Sequence, residues 1–212
     1  MTKGGEGAAV GVVGRPRSER SRRAILRAAG ELLEEQGLRA MTVEGVAQRA
    51  GVSKKTIYRW WPRKGVLALD AFYDDWSSAQ EELMPDTGTL LGDLRLRARA
   101  TVRLMTSERL GPTFAALLVE AQSDAALADA LRQHVLEPLR EQARVIFRRA
   151  VVRGELLSNT DVEVAIDLFQ GPLFLRLLYT HSPLDEAFAD AIAEMVIAGL
   201  LPGAVASAPG QA

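Results

Sequence analysis

Apolar residues recur at every third or fourth position along most of the chain, and this spacing predicts α-helices. Glycine, proline and short polar stretches separate the periodic segments, and no segment shows the two-residue alternation of a strand. We expect Pro138 to kink the helix that contains it, or to split that helix in two. The fold class is therefore predicted to be all-α. The predicted helices span about 18–36, 42–50, 53–61, 64–79, 89–108, 112–122, 125–152, 161–180 and 185–200.

The segment 42–64, TVEGVAQRAGVSKKTIYRWWPRK, has the turn chemistry of a helix-turn-helix. Thr42 can cap a short helix, and Gly51 supplies the backbone freedom to leave it. Ser53 can cap the second helix in the same way. A preceding helix, capped by Ser18 and ending at Gly37, carries an apolar face. The three helices are expected to pack as one unit.

The second helix of this motif is predicted to keep its polar side chains on the outside. Ile57, Trp60 and Trp61 follow the spacing of one buried face. At about 100° per residue, the neighbouring positions then lie on the outer face or on its flanks. These outer residues are Lys55, Thr56, Tyr58 and Arg59. A short helix with this outer face suits entry into a major groove by its N-terminal half.

Residues 20–70 resemble the DNA-binding domain of the TetR family of bacterial repressors. The family pattern is a capped helix, an A-G-V-S turn, T-hydrophobic-Y and a following lysine. It is matched by Thr42, Ala50, Gly51, Val52, Ser53, Thr56, Ile57, Tyr58 and Lys64. The chain departs from the pattern at Trp60, where the family often has histidine, and at Trp61, which replaces phenylalanine or valine. Trp60 thereby offers an indole N–H donor where an imidazole would contact a phosphate.

The DNA-binding candidates come from this outer face and from the resemblance. Lys64 begins the next helix, where free amides and a lysine form a phosphate site that the family also uses. The other candidates in the motif are Thr42, Lys54, Lys55, Thr56, Tyr58 and Trp60. Arg15 and Arg17 close a glycine-rich N-terminal arm. They either reach an adjacent minor groove or belong to a solvated tail.

The last fifty residues resemble the C-terminal domain of one large TetR subclass. The resemblance rests on a G-P-L-hydrophobic stretch at 171–174 and on the closing L-D-E-x-F-A-D at 184–190. In that family, the last two helices of each subunit pair into a four-helix dimer bundle. The same two helices here carry more apolar surface than a terminal hairpin buries alone. The expected dimer residues are Ile166, Phe169, Leu177, Phe188, Ile192, Met195, Val196 and Gly199.

Charge divides the chain in two. Residues 1–65 carry 14 Lys and Arg against 6 Asp and Glu, a net charge of +8, and residues 66–212 carry 12 against 21, a net charge of −9. The basic part is expected to face phosphate. Across all 212 residues, 48% are hydrophobic and 25% are charged, which is typical of a globular protein that buries a proper core.

Several classes of function lack support in the sequence. The absence of cysteine excludes disulfides, thiolate zinc sites and cysteine nucleophiles, and fits a reducing compartment. No apolar run reaches the roughly 18 residues that span a bilayer, so we expect a cytoplasmic protein without membrane contact. The only two histidines, His134 and His181, are not at a metal-binding spacing, and no phosphate loop or Ser-His-Asp arrangement is present. We expect no metal, no cofactor and no catalysis.

Apolar side chains on the inner faces of the C-terminal helices either fill the core or line a ligand cavity, and both alternatives stay open at this point. The candidate lining residues are Met105, Phe114, Leu118, Glu120, Phe147, Phe169, Gln170 and Phe174. Because most of them are aromatic or aliphatic, the expected effector is small, largely apolar, and uncharged or weakly charged.

Together, the residues and the resemblance predict a homodimeric regulator that binds double-stranded operator DNA and is released by a small molecule. The expected domains are a disordered arm at 1–17, a helix-turn-helix domain at 18–63, a ligand-binding and dimerisation domain at 64–204 and a disordered tail at 205–212. Two rival interpretations are a constitutive or architectural DNA-binding protein without an effector, and a small all-α enzyme that kept an inactive helix-turn-helix.

Overall fold

The computed structural model describes residues 15–78 and 84–200, except for the side chains of residues 15–17, 74, 75, 77 and 78. Within these ranges the chain forms ten α-helices and one π-helical segment, and no strand, which confirms the all-α prediction. Of the arm predicted at 1–17, residues 1–14 lie outside the described residues and 15–17 begin α1; the predicted tail at 205–212 also lies outside the described residues. The helices are α1 Arg15–Ala40, α2 Val43–Ala50, α3 Lys54–Trp60, α4 Lys64–Ser78, α5 Leu90–Thr106, α6 Gly111–Ala121, α7 Ala125–Leu131, α8 Glu137–Val152, α9 Val162–Tyr179 and α10 Glu186–Leu200.

Helix α1 carries the apolar face that the spacing predicts, and Ile25, Ala29 and Leu32 on this face are buried. The helical path breaks at Gly37, whose φ of 76° and ψ of 170° are not helical. The predicted stop at Gly37 is thereby confirmed, although one further helical turn follows it. The predicted start is late, because α1 begins at Arg15 rather than after Ser18. Helix α1 packs against α2, α4 and α6.

Helix α5 lies at the centre of the C-terminal part and packs against α6, α8 and α10. A buried carboxylate fixes its start: Asp93 accepts hydrogen bonds from the Thr87 backbone amide at 2.6 Å and from the Thr87 hydroxyl at 2.8 Å. The backbone amide of Leu90 donates to Glu155, just beyond α8, at 2.6 Å. This last bond attaches the first turn of α5 to the segment that follows α8.

The helix that contains Pro138 is interrupted, as its sequence predicts. Helix α7 ends at Leu131, a π-helical segment spans Arg132–Leu136, and α8 begins at Glu137 with Pro138 in its first turn. A proline has no amide hydrogen and its ring displaces the preceding carbonyls, so the usual bond pattern cannot continue through it. Single π-helical turns occur often beside functional sites.

No helix in the described ranges is long and apolar enough to cross a membrane.

Candidate DNA-binding surface and effector pocket

Side-chain caps and one left-handed glycine shape the helix-turn-helix. The Thr42 hydroxyl accepts a hydrogen bond from the Gly45 amide at 3.1 Å and caps α2. Gly51 closes α2 with φ 65° and ψ 34°, a conformation that glycine adopts without strain. The Ser53 hydroxyl accepts from the Thr56 amide at 3.2 Å and caps α3. All three local predictions are confirmed.

Only one of the two tryptophans at the end of α3 joins the core. Ile57 is 0% exposed and Trp61 is 3% exposed, and the Trp61 indole donates to Asp70 at 2.7 Å. Trp60 is 38% exposed, so its prediction as a core residue is wrong. The reason is local: α3 ends at Trp60, and Trp61 takes the extended values φ −129° and ψ 96°. The two ring centroids are 6.3 Å apart, but only Trp61 enters the core, and Trp60 stays on the outer surface.

The outer face of α3 is accessible. Lys55, Tyr58 and Arg59 are exposed, and the Arg59 guanidinium lies 5.9 Å from the centre of the Trp60 ring. This distance is within the range of a cation–π contact. The surface therefore presents an ammonium, a phenol and an indole beside one another. These groups can hydrogen-bond to base edges or to phosphates.

Two other candidates in the motif already have intramolecular partners. Lys54 donates to Glu44 on α2 at 2.7 Å, and this hydrogen bond raises the pKa of the lysine. The Thr56 hydroxyl lies 3.0 Å from the Ser53 hydroxyl, and Thr56 is only partly exposed. Lys55 is exposed, and unlike Lys54 it is not hydrogen-bonded to Glu44. Of these two lysines, Lys55 is therefore the one more accessible to a DNA groove.

Lys64 stands where α4 begins, as predicted, and is half-buried. Its ammonium donates to the backbone carbonyl oxygen of Leu38, near the end of α1, at 2.9 Å. The same group thus attaches α4 to α1 while retaining two more N–H donors for a phosphate. The side chains of Arg15 and Arg17 lie outside the described atoms, so their minor-groove contact stays a prediction.

An open pocket of about 370 Å³ lies between α6, α8 and α9. We call it the outer pocket, and its lining is mostly apolar with an Arg140–Asp167 ion pair at its rim. The residues that line it are Leu118, Leu136, Leu139, Arg140, Asp167, Gln170, Gly171 and Phe174. Leu118, Gln170 and Phe174 were predicted to line a ligand cavity, and the structure brings these three together. A volume of this size suits a small ligand.

A second, enclosed space of about 10 Å³ lies deeper in the bundle and is called the inner cavity. It is lined by Trp76, Arg97, Thr101, Leu104, Met105, Leu139, Gln170, Leu173 and Phe174. Met105 was a predicted lining residue. Arg97 was missed, although it is 1% exposed and stands on the same helical stripe as Leu94, Ala98 and Met105. A charged residue within an apolar stripe is the signal that sequence reading could have used.

The other predicted lining residues do not face either space. Phe147 is 0% exposed and Phe169 is 1% exposed, so both fill the core. Phe114 is also fully buried, where its ring contacts the rings of Phe72, Trp76 and Phe174. Glu120 lies beside Gly65, at the start of α4. None of these four residues lines the outer pocket or the inner cavity, so their contact with a ligand stays a prediction.

A larger groove of about 900 Å³ runs along α1. Its lining includes Arg20, Arg23, Arg27 and Arg109 as well as Glu31 and Glu34. Ion pairs join several of these side chains, with Arg109 at 2.5 Å from Glu34 and Arg27 at 3.7 Å from Glu31. A charged, solvated surface groove is a poor site for an apolar molecule, whereas the smaller outer pocket has a mostly apolar lining.

The predicted dimer surface needs a partial correction. Ile166 and Phe169 are 0% and 1% exposed, and Ile192 and Val196 are 8% and 7% exposed, so these four pack inside one subunit. Leu177 and Phe188 are partly buried, and the Phe188 ring contacts the Arg176 guanidinium at 3.3 Å. Met195 and Gly199 lie outside. The large apolar side chains exposed on α9 and α10 are Val164, Leu168, Leu175, Leu178, Tyr179 and Met195.

A capped helix-turn-helix with an accessible basic helix, followed by a helical domain with an apolar pocket, defines a helix-turn-helix DNA-binding regulator. Residues 25–71 match the family model of "Bacterial regulatory proteins, tetR family", and residues 84–196 match "Tetracyclin repressor-like, C-terminal domain". The chain belongs to the TetR family, and it is a DNA-binding transcriptional regulator.

Relatives with known names support this assignment along most of the chain. The HTH-type transcriptional regulator YdeS of Bacillus subtilis (strain 168) is 41% identical over 176 residues, which cover 82% of this chain and 87% of YdeS. The DNA-binding transcriptional repressor TetR of Mycobacteroides abscessus is 33% identical over 192 residues, covering 89% and 98%. The crystal structure of the TetR family transcription regulator SCO0332 shares 37% identity with a TM-score of 0.72, covering 86% and 100%. This family is one of transcriptional regulators rather than of enzymes.

Proposed function

We propose that this regulator represses transcription as a homodimer that places α3 of each subunit in the major groove of its operator. The observation that carries the proposal is the accessible outer face of α3, with Lys55, Tyr58 and Arg59 beside one another on a rigidly capped helix. The related repressor of Mycobacteroides abscessus supports the repressing role. In this proposal, residues 15–63 form the DNA-binding domain, and the helices from α4 onward form the effector and dimerisation domain.

The proposed dimer interface uses the outer faces of α9 and α10. Leu168 is 55% exposed, Leu175 is 49% exposed and Met195 is 71% exposed. Side chains of this size on neighbouring helices indicate a surface that another molecule covers. A second copy of the chain suits it, because two such helix pairs form a four-helix bundle and because operators are read by two recognition helices one turn of DNA apart.

The proposed effector site is the outer pocket, and a small molecule bound there would release the operator. A protein of the same fold, FadR from Bacillus subtilis, was crystallised in complex with stearoyl-CoA, with 20% identity and a TM-score of 0.64. That complex supports ligand binding by the fold, not the identity of this ligand. A ligand shifts the operator affinity only through its different affinities for the two conformations, typically by roughly 5- to 150-fold.

The contacts of α7 offer a physical connection between the pocket and the DNA-binding domain. Leu136, at the end of the π-helical segment, lines the outer pocket, and α7 precedes this segment directly. Asp124 caps α7 and lies 3.6 Å from Arg63, just before α4. Movement of Leu136 on ligand binding would therefore shift α7 against the start of α4. Helix α4 would then change the distance between the two copies of α3.

The test is a footprint of the purified protein on the promoter region of its own gene. We expect protection of two half-sites on one face of the DNA, and loss of protection with the variant Lys55→Ala combined with Tyr58→Ala. The double variant Arg132→Ala with Arg148→Ala removes two exposed cations of the C-terminal domain and serves as the matched control. If protection is independent of α3, or if only one half-site is ever bound, the proposal is wrong.

A further inference from the structure

Arg97 places a positive charge inside the effector domain. Burial lowers its pKa to about 10, which still leaves the guanidinium protonated at neutral pH. Nη2 donates to the backbone carbonyl oxygen of Leu139 at 2.7 Å, and the Nη1 atom lies 3.4 Å from the amide oxygen of Gln142. An anion beside a buried guanidinium would be stabilised more strongly than a neutral acceptor, because its hydrogen bonds are charge-assisted.

Trp76 adds a second donor to the same cavity. Its ring is 1% exposed, and its Nε1 atom is buried without a hydrogen-bond partner among the described residues. A buried N–H without a partner is energetically unfavourable, so an acceptor that enters the cavity gains from it. Trp76 and Arg97 come from α4 and α5, and both line the inner cavity.

The inner cavity and the outer pocket are neighbours. Leu139, Gln170 and Phe174 line both of them. The inner cavity, at about 10 Å³, has room for about one water molecule, whereas the outer pocket has about 370 Å³. A ligand with an apolar body and a small polar head group fits this arrangement if the side chains of Gln170 and Phe174 move aside. Such a movement would distinguish the bound conformation from the free one.

We propose that the effector of this regulator is an apolar carboxylic acid. Its hydrocarbon body occupies the outer pocket, and its carboxylate passes Gln170 to accept hydrogen bonds from the Arg97 guanidinium and the Trp76 indole. This inference rests on the proposed effector site and specifies the chemistry of its ligand. It replaces the expectation of an uncharged or weakly charged effector, because the buried cation that an acid requires is Arg97, a residue absent from the predicted lining.

The affinity of the full-length protein for matched acids and amides tests the proposal without DNA. Decanoic acid, decanamide, phenylbutyric acid and phenylbutyramide are titrated by calorimetry, below the concentrations at which they aggregate. Each acid should bind about 10- to 100-fold more tightly than its amide, because the amide offers only a neutral acceptor. Equal affinity for acid and amide would overturn the proposal, and so would undetectable binding of both acids.

Substitutions at two residues, Arg97 and Trp76, test which groups produce the preference for the acid. Arg97→Met removes the charge at similar length and should reduce the acid-to-amide ratio to about one, whereas Arg97→Lys should retain part of it. Trp76→Phe keeps an aromatic ring without the N–H and should weaken acid binding several-fold. Helicity and thermal unfolding verify that each variant is folded. If Arg97→Met does not fold, the Arg97→Lys and Trp76→Phe variants still decide the question. An unchanged acid preference in all folded variants contradicts the assignment.

An operator-release assay with the same four compounds separates this inference from the proposed function. Release by both amides and acids at equal concentrations would retain the effector site but exclude the acid preference. Acid-selective binding without any release from DNA would retain the carboxylate site but exclude its role as the effector site.

Discussion

Gly65 at the start of α4 touches Leu127 of α7 so closely that a Cβ atom at Gly65 would lie 2.9 Å from Leu127 Cδ2. Leu127 is 0% exposed, so its side chain has little space in which to move away. The same position would be 3.5 Å from Glu120 Oε1 on α6. Glycine thus permits a close contact of α4, which follows the DNA-binding domain, with α7 and α6.

Gly65→Ala should destabilise the protein and alter the response to effector, because the added methyl group pushes α4 away from α7. Overpacking of this kind costs about 1–3 kcal/mol. Gly30→Ala in α1 is the matched control, since no atom lies within 4 Å of the Cβ it adds and an alanine favours the helix. Denaturant unfolding and operator titration with and without effector measure both effects. Identical behaviour of the two variants would show that the Gly65 contact carries no coupling.

Lys55→Ala should weaken operator binding and relax the preference at particular base pairs, by about 10- to 100-fold for a base contact. Lys64→Ala should weaken all sequences about equally, because a phosphate contact carries no sequence information. The control is Arg132→Ala, which removes an exposed cation from the C-terminal domain. Binding is measured against the operator and against single-base variants over a salt series. A flat preference profile for Lys55→Ala, identical to that of the parent protein, would contradict the placement of α3.

Met195→Asp together with Leu168→Asp should produce a monomer, because burying unpaired carboxylates in an apolar interface costs several kcal/mol. Phe169 was also an expected dimer residue, but it is 1% exposed. Phe169→Asp would disrupt the core of one subunit and cannot test the interface. The matched control is Val152→Asp, on a side chain that is 87% exposed at the end of α8. Sedimentation and operator affinity provide the readouts. A double variant that remains dimeric with normal helicity would exclude this face as the interface.

Leu118→Trp should fill part of the outer pocket and prevent release by effector, while the affinity for operator stays the same. Leu118 lines the pocket, and the helix-turn-helix lies elsewhere. Val119→Trp introduces the same side chain one residue further along α6, where Val119 is 64% exposed. The variants are compared by fluorescence anisotropy of labelled operator during effector titration. Should both variants release normally, the effector binds outside this pocket.

An ion-pair cluster between α8 and α9 should make the stability of the protein vary with pH in the acid range. Hydrogen bonds from Arg144 and Arg140 lower the pKa of the Glu163 carboxyl to about 2. A carboxyl group whose pKa is lower in the folded state than its usual 4.5 stabilises the fold at pH values above 4.5. This contribution is lost as the pH falls from about 4.5 towards 2. The difference in melting temperature between the parent and Glu163→Gln should therefore be largest near pH 7 and vanish near pH 2.

Salt and a second variant check this origin of the pH effect. The carboxylate is exposed, so the effect should be small and should weaken as salt is added. Glu108→Gln, an exposed position before α6 and outside the cluster, should show no comparable pH-dependent difference. A Glu163→Gln difference that persists at pH 2 would indicate a cause other than ionisation.

Local chemistry made the helix-turn-helix predictable from sequence. Thr42 and Ser53 form their capping bonds within three residues, and Gly51 supplies its left-handed conformation by itself. The break at Gly37 and the interruption before Pro138 follow from the same short-range rules. These features do not depend on which distant helix packs against the segment, and the family resemblance rests on the same residues.

The end of α3 is a feature that the apolar spacing did not predict. Trp60 and Trp61 both match the apolar spacing of α3, but the helix ends between them. Trp60 is still helical and stays largely outside, whereas Trp61 follows the last helical residue and is buried. Trp60 is left 38% exposed, and its contact with DNA stays a prediction.

The proposed effector pocket and the proposed dimer face depend on tertiary structure. Helix α9 is apolar on several sides, so its spacing does not tell which stripe faces inward: Phe169 and Leu173 were buried, and Leu168 and Leu175 were left outside. Arg97 appears in the sequence as one arginine among several on α5, and only the packing of α4, α8 and α9 around it encloses its charge. Helical period depends on residues three or four positions apart, whereas burial and cavity shape depend on residues brought together from distant parts of the chain.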